Sequence, residues 1–209
     1  MHTGEAYHEF MLRSRRDRRV RDRFQSMALD LLPAGAAVLD FGAGTGIVAA
    51  IYAVHGHPTF VYEPSQTMQD CLLRYCRNEV ARGMVIPVTR PLVQKVHAVT
   101  ANFAVLNHVE DHRSLFEELS RVIDRGGFFL ASMLSPWYLG DARYRWWWTN
   151  MAKLLRSGRY ASPGESRIHR YAASAVARAA LPHFRLERLV PRGFRSATHL
   201  YQFFLFRRV

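Results

Sequence analysis

Apolar positions along the chain follow two rhythms, and their alternation sets out the architecture. Helical spacing runs from His8 to about Leu32, through Phe10, Met11, Phe24, Met27, Ala28, Leu31 and Leu32, and is ended by Pro33 and Gly35. It returns from Ile47 to Val54, stopped by Gly56, and again from a cap at Ser65 through Met68, Cys71, Leu72 and Tyr75 towards Val80. Leu115, Phe116, Leu119, Val122 and Ile123 repeat it behind a cap at Asp111 or Ser114, and Gly126-Gly127 is expected to end that helix. Between these segments lie apolar runs of strand length: Val38–Phe41, Pro58–Tyr62, Met84–Val88, a run opening at Val96, and Phe128–Leu134. Strand and helix alternate, which predicts an α/β fold around a sheet with helices on both faces. Phe184–Val190 and Leu200–Phe206 read as two further strands, the last apolar enough to be buried on both faces.

The first strand breaks in a way that carries chemistry. Val38-Leu39-Asp40-Phe41 passes into Gly42-Ala43-Gly44-Thr45-Gly46 and then into the helix start Ile47-Val48-Ala49-Ala50. A strand, a glycine turn and a helix N-terminus together present main-chain N–H groups to a ligand, and glycine keeps side chains out of the way. The spacing excludes the dinucleotide fingerprint G-x-G-x-x-G, whose third small residue would fall on Ile47. The pattern is G-x-G-x-G behind Asp40. In this it resembles the first motif of class I S-adenosylmethionine-dependent methyltransferases of the small-molecule type, where the loop passes under the methionine part of the cofactor. The helical stripe at 115–123, the double glycine and the strand at 128–134 repeat that family's order, so the likeness covers most of residues 34–134.

The resemblance implies a Rossmann-like seven-stranded mixed sheet whose last two strands pair antiparallel at its edge, with S-adenosylmethionine as cofactor. Residue by residue, it implies cofactor contacts from Asp40, Phe41, Gly42, Gly44 and Gly46, and from Glu63 and Pro64 at the end of the second strand. A carboxylate there offers two acceptor oxygens to a ribose diol. Met68 would flank adenine, although core packing is the safer reading of its spacing, and Asn102 and Phe103 would follow the fourth strand at the cofactor, Phe103 towards the substrate side. Two positions depart from the family: Val88 and Thr89 stand where an acid often receives the adenine amine, and His97 where an aspartate is usual. On the acceptor side the expected residues are Tyr7, His108, Trp147, His169 and Tyr171, with His108 as general base because an imidazole titrates near neutrality, and His169 or Tyr7 as the alternatives for that role.

Beyond the fifth strand the pattern becomes individual. Tyr144, Trp147, Trp148, Met151, Leu154 and Leu155 recur at helical spacing with Trp146 off the stripe, which predicts a helix on the sheet edge or a lid over an apolar substrate. Gly158–Gly164 reads as a loop leading through Arg167–Tyr171 into the alanine-rich helix 172–181. The 209 residues suit a single domain, 1–209, with a helical lid at 1–33, a cofactor core at 34–134, a substrate-side helical insertion at 135–175, and a C-terminal helix and strands at 176–209.

Charge and cysteines narrow the partners. The formal charge of +12 comes almost wholly from arginine, since Lys95 and Lys153 are the only lysines. The dense run Arg13-Ser14-Arg15-Arg16-Asp17-Arg18-Arg19, with Arg21 and Arg23, reads as a solvated helix face, or else as a basic lid or phosphate-touching arm. An anionic or aromatic small-molecule acceptor is therefore expected, with RNA or another macromolecule as the rival and an inactive cofactor-binding relative as the third reading. Cys71 and Cys76 leave different faces of a helix, and His108 and His112 do not form a His-Glu-x-x-His pattern, so neither disulfide nor metal is expected. No apolar run approaches the roughly 18 residues of a membrane span, and a cytoplasmic protein is expected.

Overall fold

The computed structural model describes residues 4–90, 95–163 and 168–209. The chain opens with α1 (Gly4–Arg13) and α2 (Arg15–Leu29), then enters β1 (Val38–Phe41), α3 (Ile47–Val54), β2 (Thr59–Tyr62), α4 (Gln66–Tyr75), α5 (Arg77–Ala81) and β3 (Val85–Pro87). The second half runs β4 (Val96–Ala101), α6 (His112–Val122), β5 (Ile123–Leu134), α7 (Arg145–Ser157), β6 (Arg159–Ser162), β7 (Ile168–Tyr171), α8 (Ala173–Ala180), β8 (Phe184–Val190) and β9 (Tyr201–Arg208). Seven strands form one sheet in the order β3-β2-β1-β4-β5-β9-β8. The pairs from β3 to β5 are parallel, and β9 and β8 close the edge antiparallel.

Both faces of the sheet are covered because the central strands are apolar on both sides. One layer buries Phe116, Leu119, Val176 and Ala180 of α6 and α8 against Phe129, Phe204 and Phe206. The other buries Phe24 and Ala28 of α2 with Val48 and Tyr52 of α3 against Phe128, Phe203 and Leu205. Successive residues of β9 thus face opposite cores, as its unbroken apolar run requires.

Several boundaries differ from the sequence expectation, each for a local reason. The helical rhythm from His8 to Leu32 is two helices, broken where Ser14 leaves the helix (φ −66°, ψ 108°) and its Oγ accepts from Asp17 N at 3.3 Å, capping α2. The rhythm from Met68 to Val80 is likewise divided at Cys76 between α4 and α5. Gly126-Gly127 does not end α6, which stops at Val122 behind an Asp111 cap; both glycines lie inside β5. Val96 pairs with Ile123 and Ala98 already with Phe128, so residues 124–127 bulge. A Cβ on Gly127 would stand 2.2 Å from His97 O, which explains the residue.

The expected loop at 158–164 contains a strand instead. Gly158 ends α7 in the left-handed region (φ 72°), and β6 pairs antiparallel with β7 in a separate two-stranded hairpin. Gly164 and Arg167 lie outside the described residues. On α7 the expected aromatic stripe splits: Trp147, Asn150 and Leu154 are buried, while Tyr144, Trp148 and Leu155 are exposed. Trp146, off the stripe, stacks with Tyr144 at 6.0 Å between centroids.

Candidate functional site

The site begins in the middle of the sheet. Asp40 lies on β1, in register with Val61 of β2 and Thr100 of β4. Asp40 is 1% exposed; Oδ1 accepts from Thr100 Oγ1 at 3.1 Å, and Oδ2 has no hydrogen-bond partner among the described residues. Burial is the main cause that raises its pKa to about 7, opposed by the Thr100 hydrogen bond and reinforced by the charge of Glu63. An acid held this way is incomplete without a cation or donor in front of it.

The glycine loop then turns under tight control. Gly42 N and Ala43 N donate to Tyr62 O at 2.8 and 3.0 Å, fastening the loop to the end of β2. Glu63, half-buried, receives Gly44 N on Oε2 at 2.8 Å and Ser65 N on Oε1 at 2.9 Å, so its carboxylate bridges the loop and the start of α4. Gly46 has φ 82°, and a Cβ there would stand 2.8 Å from both Leu72 Cγ and Cys76 Sγ. That position must be glycine for α3 to pack on α4.

After β4 the backbone is strained. Phe103 (φ 53°) and Ala104 (φ 67°) are both left-handed without being glycine. Ser132 on β5 holds the turn: its Oγ donates to Asn102 Oδ1 at 2.7 Å and accepts from Phe103 N at 2.7 Å. Asn102 Nδ2 is buried and has no hydrogen-bond partner among the described residues. The strain is over-determined by neighbours, as at ligand-facing turns.

These three segments enclose a cavity of about 740 Å³, inside the roughly 300–1,000 Å³ range of small-molecule sites. Of the residues read as cofactor contacts, Asp40, Phe41, Gly42, Gly44, Glu63, Pro64, Met68, Asn102 and Phe103 line it; Gly46 stands behind the wall. Of the acceptor set, Tyr7 and His108 line it and Trp147, His169 and Tyr171 do not. His169 and Tyr171 instead support the turn that carries His108. The main-chain oxygen of His169 accepts from Asn107 Nδ2 at 2.6 Å, and Tyr171 Oη donates to Val109 O at 2.7 Å. Trp147 donates its indole N–H to Pro136 O at 3.2 Å and lines a separate cavity. His112 is buried, its Nε2 pairing with Leu106 O at 3.0 Å, and its burial lowers its pKa.

Sequence reasoning named Arg21 only within the arginine run read as a solvated face, a basic lid or a phosphate-touching arm. Arg21 is 5% exposed, lines the cavity beside Tyr7 and Met11, and donates to Met11 O at 3.2 Å. No ion pair among the described residues involves it. The signal was its register: Arg21, Phe24, Gln25 and Ala28 share the buried face of α2, whereas Arg15, Arg16, Arg18, Arg19 and Arg23 are exposed. The roof is latched to the loop by His8 Nδ1 at 2.8 Å from Thr45 Oγ1, and α1 meets α4 so closely that a Cβ on Gly4 would stand 2.1 Å from Thr67 O.

A sheet of this order, with a glycine loop facing an acid at the end of the next strand, defines a class I methyltransferase. Residues 12–181 match the family described as a methyltransferase domain, and the chain belongs to that family of S-adenosylmethionine-dependent methyltransferases. Comparison with curated protein sequences gives no significant match. Solved structures share the fold. One is a S-adenosylmethionine-dependent methyltransferase from Clostridium acetobutylicum (12% identity, 98% of each chain, TM-score 0.68). Another is magnesium protoporphyrin IX methyltransferase from Synechocystis with bound SAH (18% identity, 92% of this chain and 82% of that one, TM-score 0.64). A third is geranyl diphosphate C-methyltransferase from Streptomyces coelicolor (17% identity, 92% and 80%, TM-score 0.66).

The residues present fit S-adenosylmethionine. The unpartnered Asp40 oxygen suits its cationic methionine end, and the unpaired Arg21 guanidinium suits its carboxylate. Each Glu63 oxygen keeps acceptor capacity beyond the amide it already binds. When bound, this cofactor supplies a methyl group already activated on a sulfonium, so the chain's own task is placement.

Proposed function

We propose that this protein methylates an O, N or C atom of a small-molecule acceptor that enters beside Phe103 and His108. One observation carries the reading: Tyr7, Phe103 and His108 line the same cavity as Asp40 and Glu63, beside α1, so donor and acceptor would share one site. Phe103 and Val105 offer the acceptor apolar surface, and orientation in such a space can lower a barrier by roughly 7–11 kcal/mol in favourable systems. On this reading His108, exposed and lining the cavity, takes a proton from the acceptor. Two buried free cysteines are in keeping with a cytoplasmic setting.

The test begins with calorimetric titration of S-adenosylmethionine into the intact protein and into Asp40→Ala and Glu63→Ala. Micromolar binding lost in both variants, followed by transfer of labelled methyl to a low-molecular-mass extract, is the expected result. Label appearing in the RNA fraction would replace the small acceptor by a polyanion bound at the arginines of α2. Binding without transfer to either fraction would leave only a cofactor-binding protein. His108→Gln should lower kcat while leaving cofactor affinity within about twofold, as for a group acting only on the acceptor.

A further inference from the structure

Helix α7 has two apolar sides. Trp147, Asn150 and Leu154 bury one of them. On the outside, Tyr144, Trp148 and Leu155 fall in one line at four- and seven-residue spacing and are 42, 62 and 78% exposed. The Trp148 indole N–H is satisfied by Ala142 O at 2.7 Å, so what the ring shows to solvent is its hydrocarbon. Arg145, Lys153 and Arg156 are exposed along the same helix, which contains no acidic residue, and Arg143 stands 4.8 Å over the Tyr144 ring. Trp148 meets Trp147 edge-on at 4.8 Å, and Trp147 lines a cavity of about 470 Å³ together with Leu139 and Phe194, which are 56 and 99% exposed. Exposed Arg192 and Arg195 flank Phe194 in the chain.

We propose that this face docks on an anionic lipid bilayer, with α7 lying in the interface. Trp148, Leu155, Leu139 and Phe194 enter the boundary between headgroups and acyl chains, and Arg145, Lys153 and Arg156 meet the lipid phosphates. Charge complementarity selects this partner: the helix carries cations only, within a chain of net charge +12, and anionic lipid attracts each cation near its surface. The apolar stripe decides against a nucleic acid. A polyanion could stack on Trp148, but it would leave Leu155 and Leu139 in water, whereas an interfacial helix buries both. No helix among the described residues is long and apolar enough to cross a membrane, so contact would be from one side. The face is built on the segment leaving β5, whose last residue, Leu134, pairs with Tyr201, the ring against Phe103 at the cavity wall. An apolar acceptor held in the bilayer would meet the protein on this side.

The experiment is co-sedimentation of the full chain with phosphatidylcholine vesicles and with vesicles that also contain phosphatidylglycerol, followed by tryptophan emission. Binding is expected only with phosphatidylglycerol, weakening as salt rises and accompanied by a blue shift. The pair Trp148→Gln/Leu155→Gln should weaken binding about tenfold and remove the shift. The triple Arg145→Gln/Lys153→Gln/Arg156→Gln should weaken it by about tenfold or more. These residues line no part of the cofactor cavity, so circular dichroism and cofactor titration should be unchanged, and failure here is separable from failure of the methylation reading. The proposal is overturned by absent binding, or by binding that both α7 variants leave intact. Loss only in Arg15→Gln/Arg19→Gln/Arg23→Gln, or displacement of vesicles by single-stranded RNA at equal charge, would also overturn it.

Discussion

Asp40 carries an electrostatic conflict: a carboxylate in the centre of the sheet, with one oxygen bonded and the other without a partner among the described residues. Its pKa is raised from 3.8 to about 7, so between those values the folded chain holds a proton that the unfolded chain has lost. Stability of the free protein therefore falls as pH rises across that window, and the full penalty is present above about 7. Asp40→Asn removes the penalty. Thermal melts should show the variant matching the parent near about pH 4 and exceeding it increasingly towards about pH 8, in line with that linkage. Cofactor affinity should move the opposite way, because a cation facing Asp40 favours the ionised form: in the parent it should rise with pH up to about 7, with proton release seen by calorimetry in buffers of different ionisation heat, and in Asp40→Asn it should be weak and flat. Glu63 makes a second prediction at this scale. Its two oxygens hold Gly44 N and Ser65 N, so Glu63→Gln keeps one acceptor where Glu63→Ala keeps none. Titrations should rank affinity parent, Gln, Ala, with the last down about 10- to 100-fold, the size expected for charge-assisted hydrogen bonds of roughly 1.5–3 kcal/mol.

At the scale of elements the roof over the cavity matters most, because a ring hydrogen bond from His8 to Thr45 ties α1 to the glycine loop and Ser14 caps α2. Ser14→Ala should lower stability by about 1 kcal/mol in denaturant unfolding, the usual loss for an N-cap. Thr45→Val should speed cofactor release in stopped-flow measurements while leaving the melt little changed, since it removes the latch and preserves volume. The strands of the seven-stranded sheet and the glycine loop were legible in the sequence because continuous apolar runs and positive-φ glycines leave strong local marks. The break at Ser14 was not read, although Ser14-x-x-Asp17 is its signature, because helical spacing continues on both sides of it. The β6–β7 hairpin was hidden for a different reason: Arg159-Tyr160-Ala161-Ser162 alternates too weakly to announce a strand, and its order comes from tertiary bonds. The bulge at Gly126-Gly127 depends on the approach of β4, which no local pattern reports. Within the site, the glycine loop, Glu63 and Asn102 could be read from motif spacing, whereas Arg21 could not be separated from its arginine-rich neighbours until the buried face of α2 was known.

For the whole molecule the open question is whether residues 135–175 are an appendage or part of one cooperative unit, and Arg170 is the residue that decides it. Its guanidinium, 7% exposed, donates to Ser135 O at 2.6 Å where the chain leaves the central sheet and to Asp141 Oδ2 at 2.8 Å in the turn before α7. A third bond goes to Ser162 Oγ at 3.3 Å across the hairpin. The pair lies between sheet and insertion, largely out of water, so removing one partner strands a buried charge. Asp141→Ala should therefore destabilise by about 3–5 kcal/mol, while replacing both partners with apolar residues, Arg170→Met/Asp141→Leu, should recover much of that loss. The two variants separate an ion pair that contributes net stability from one that chiefly fixes the insertion's position. For a chain of this length the single change should lower Tm by about 6–20 °C, at roughly 2–4 °C per kcal/mol. If the insertion belongs to one folding unit, as we propose for residues 1–209, calorimetry will show that shift in a single transition, with far-ultraviolet dichroism and tryptophan emission melting together. Emission from Trp146, Trp147 and Trp148 changing before the dichroism would make the insertion a separately melting element and confine the effect of Asp141 to it.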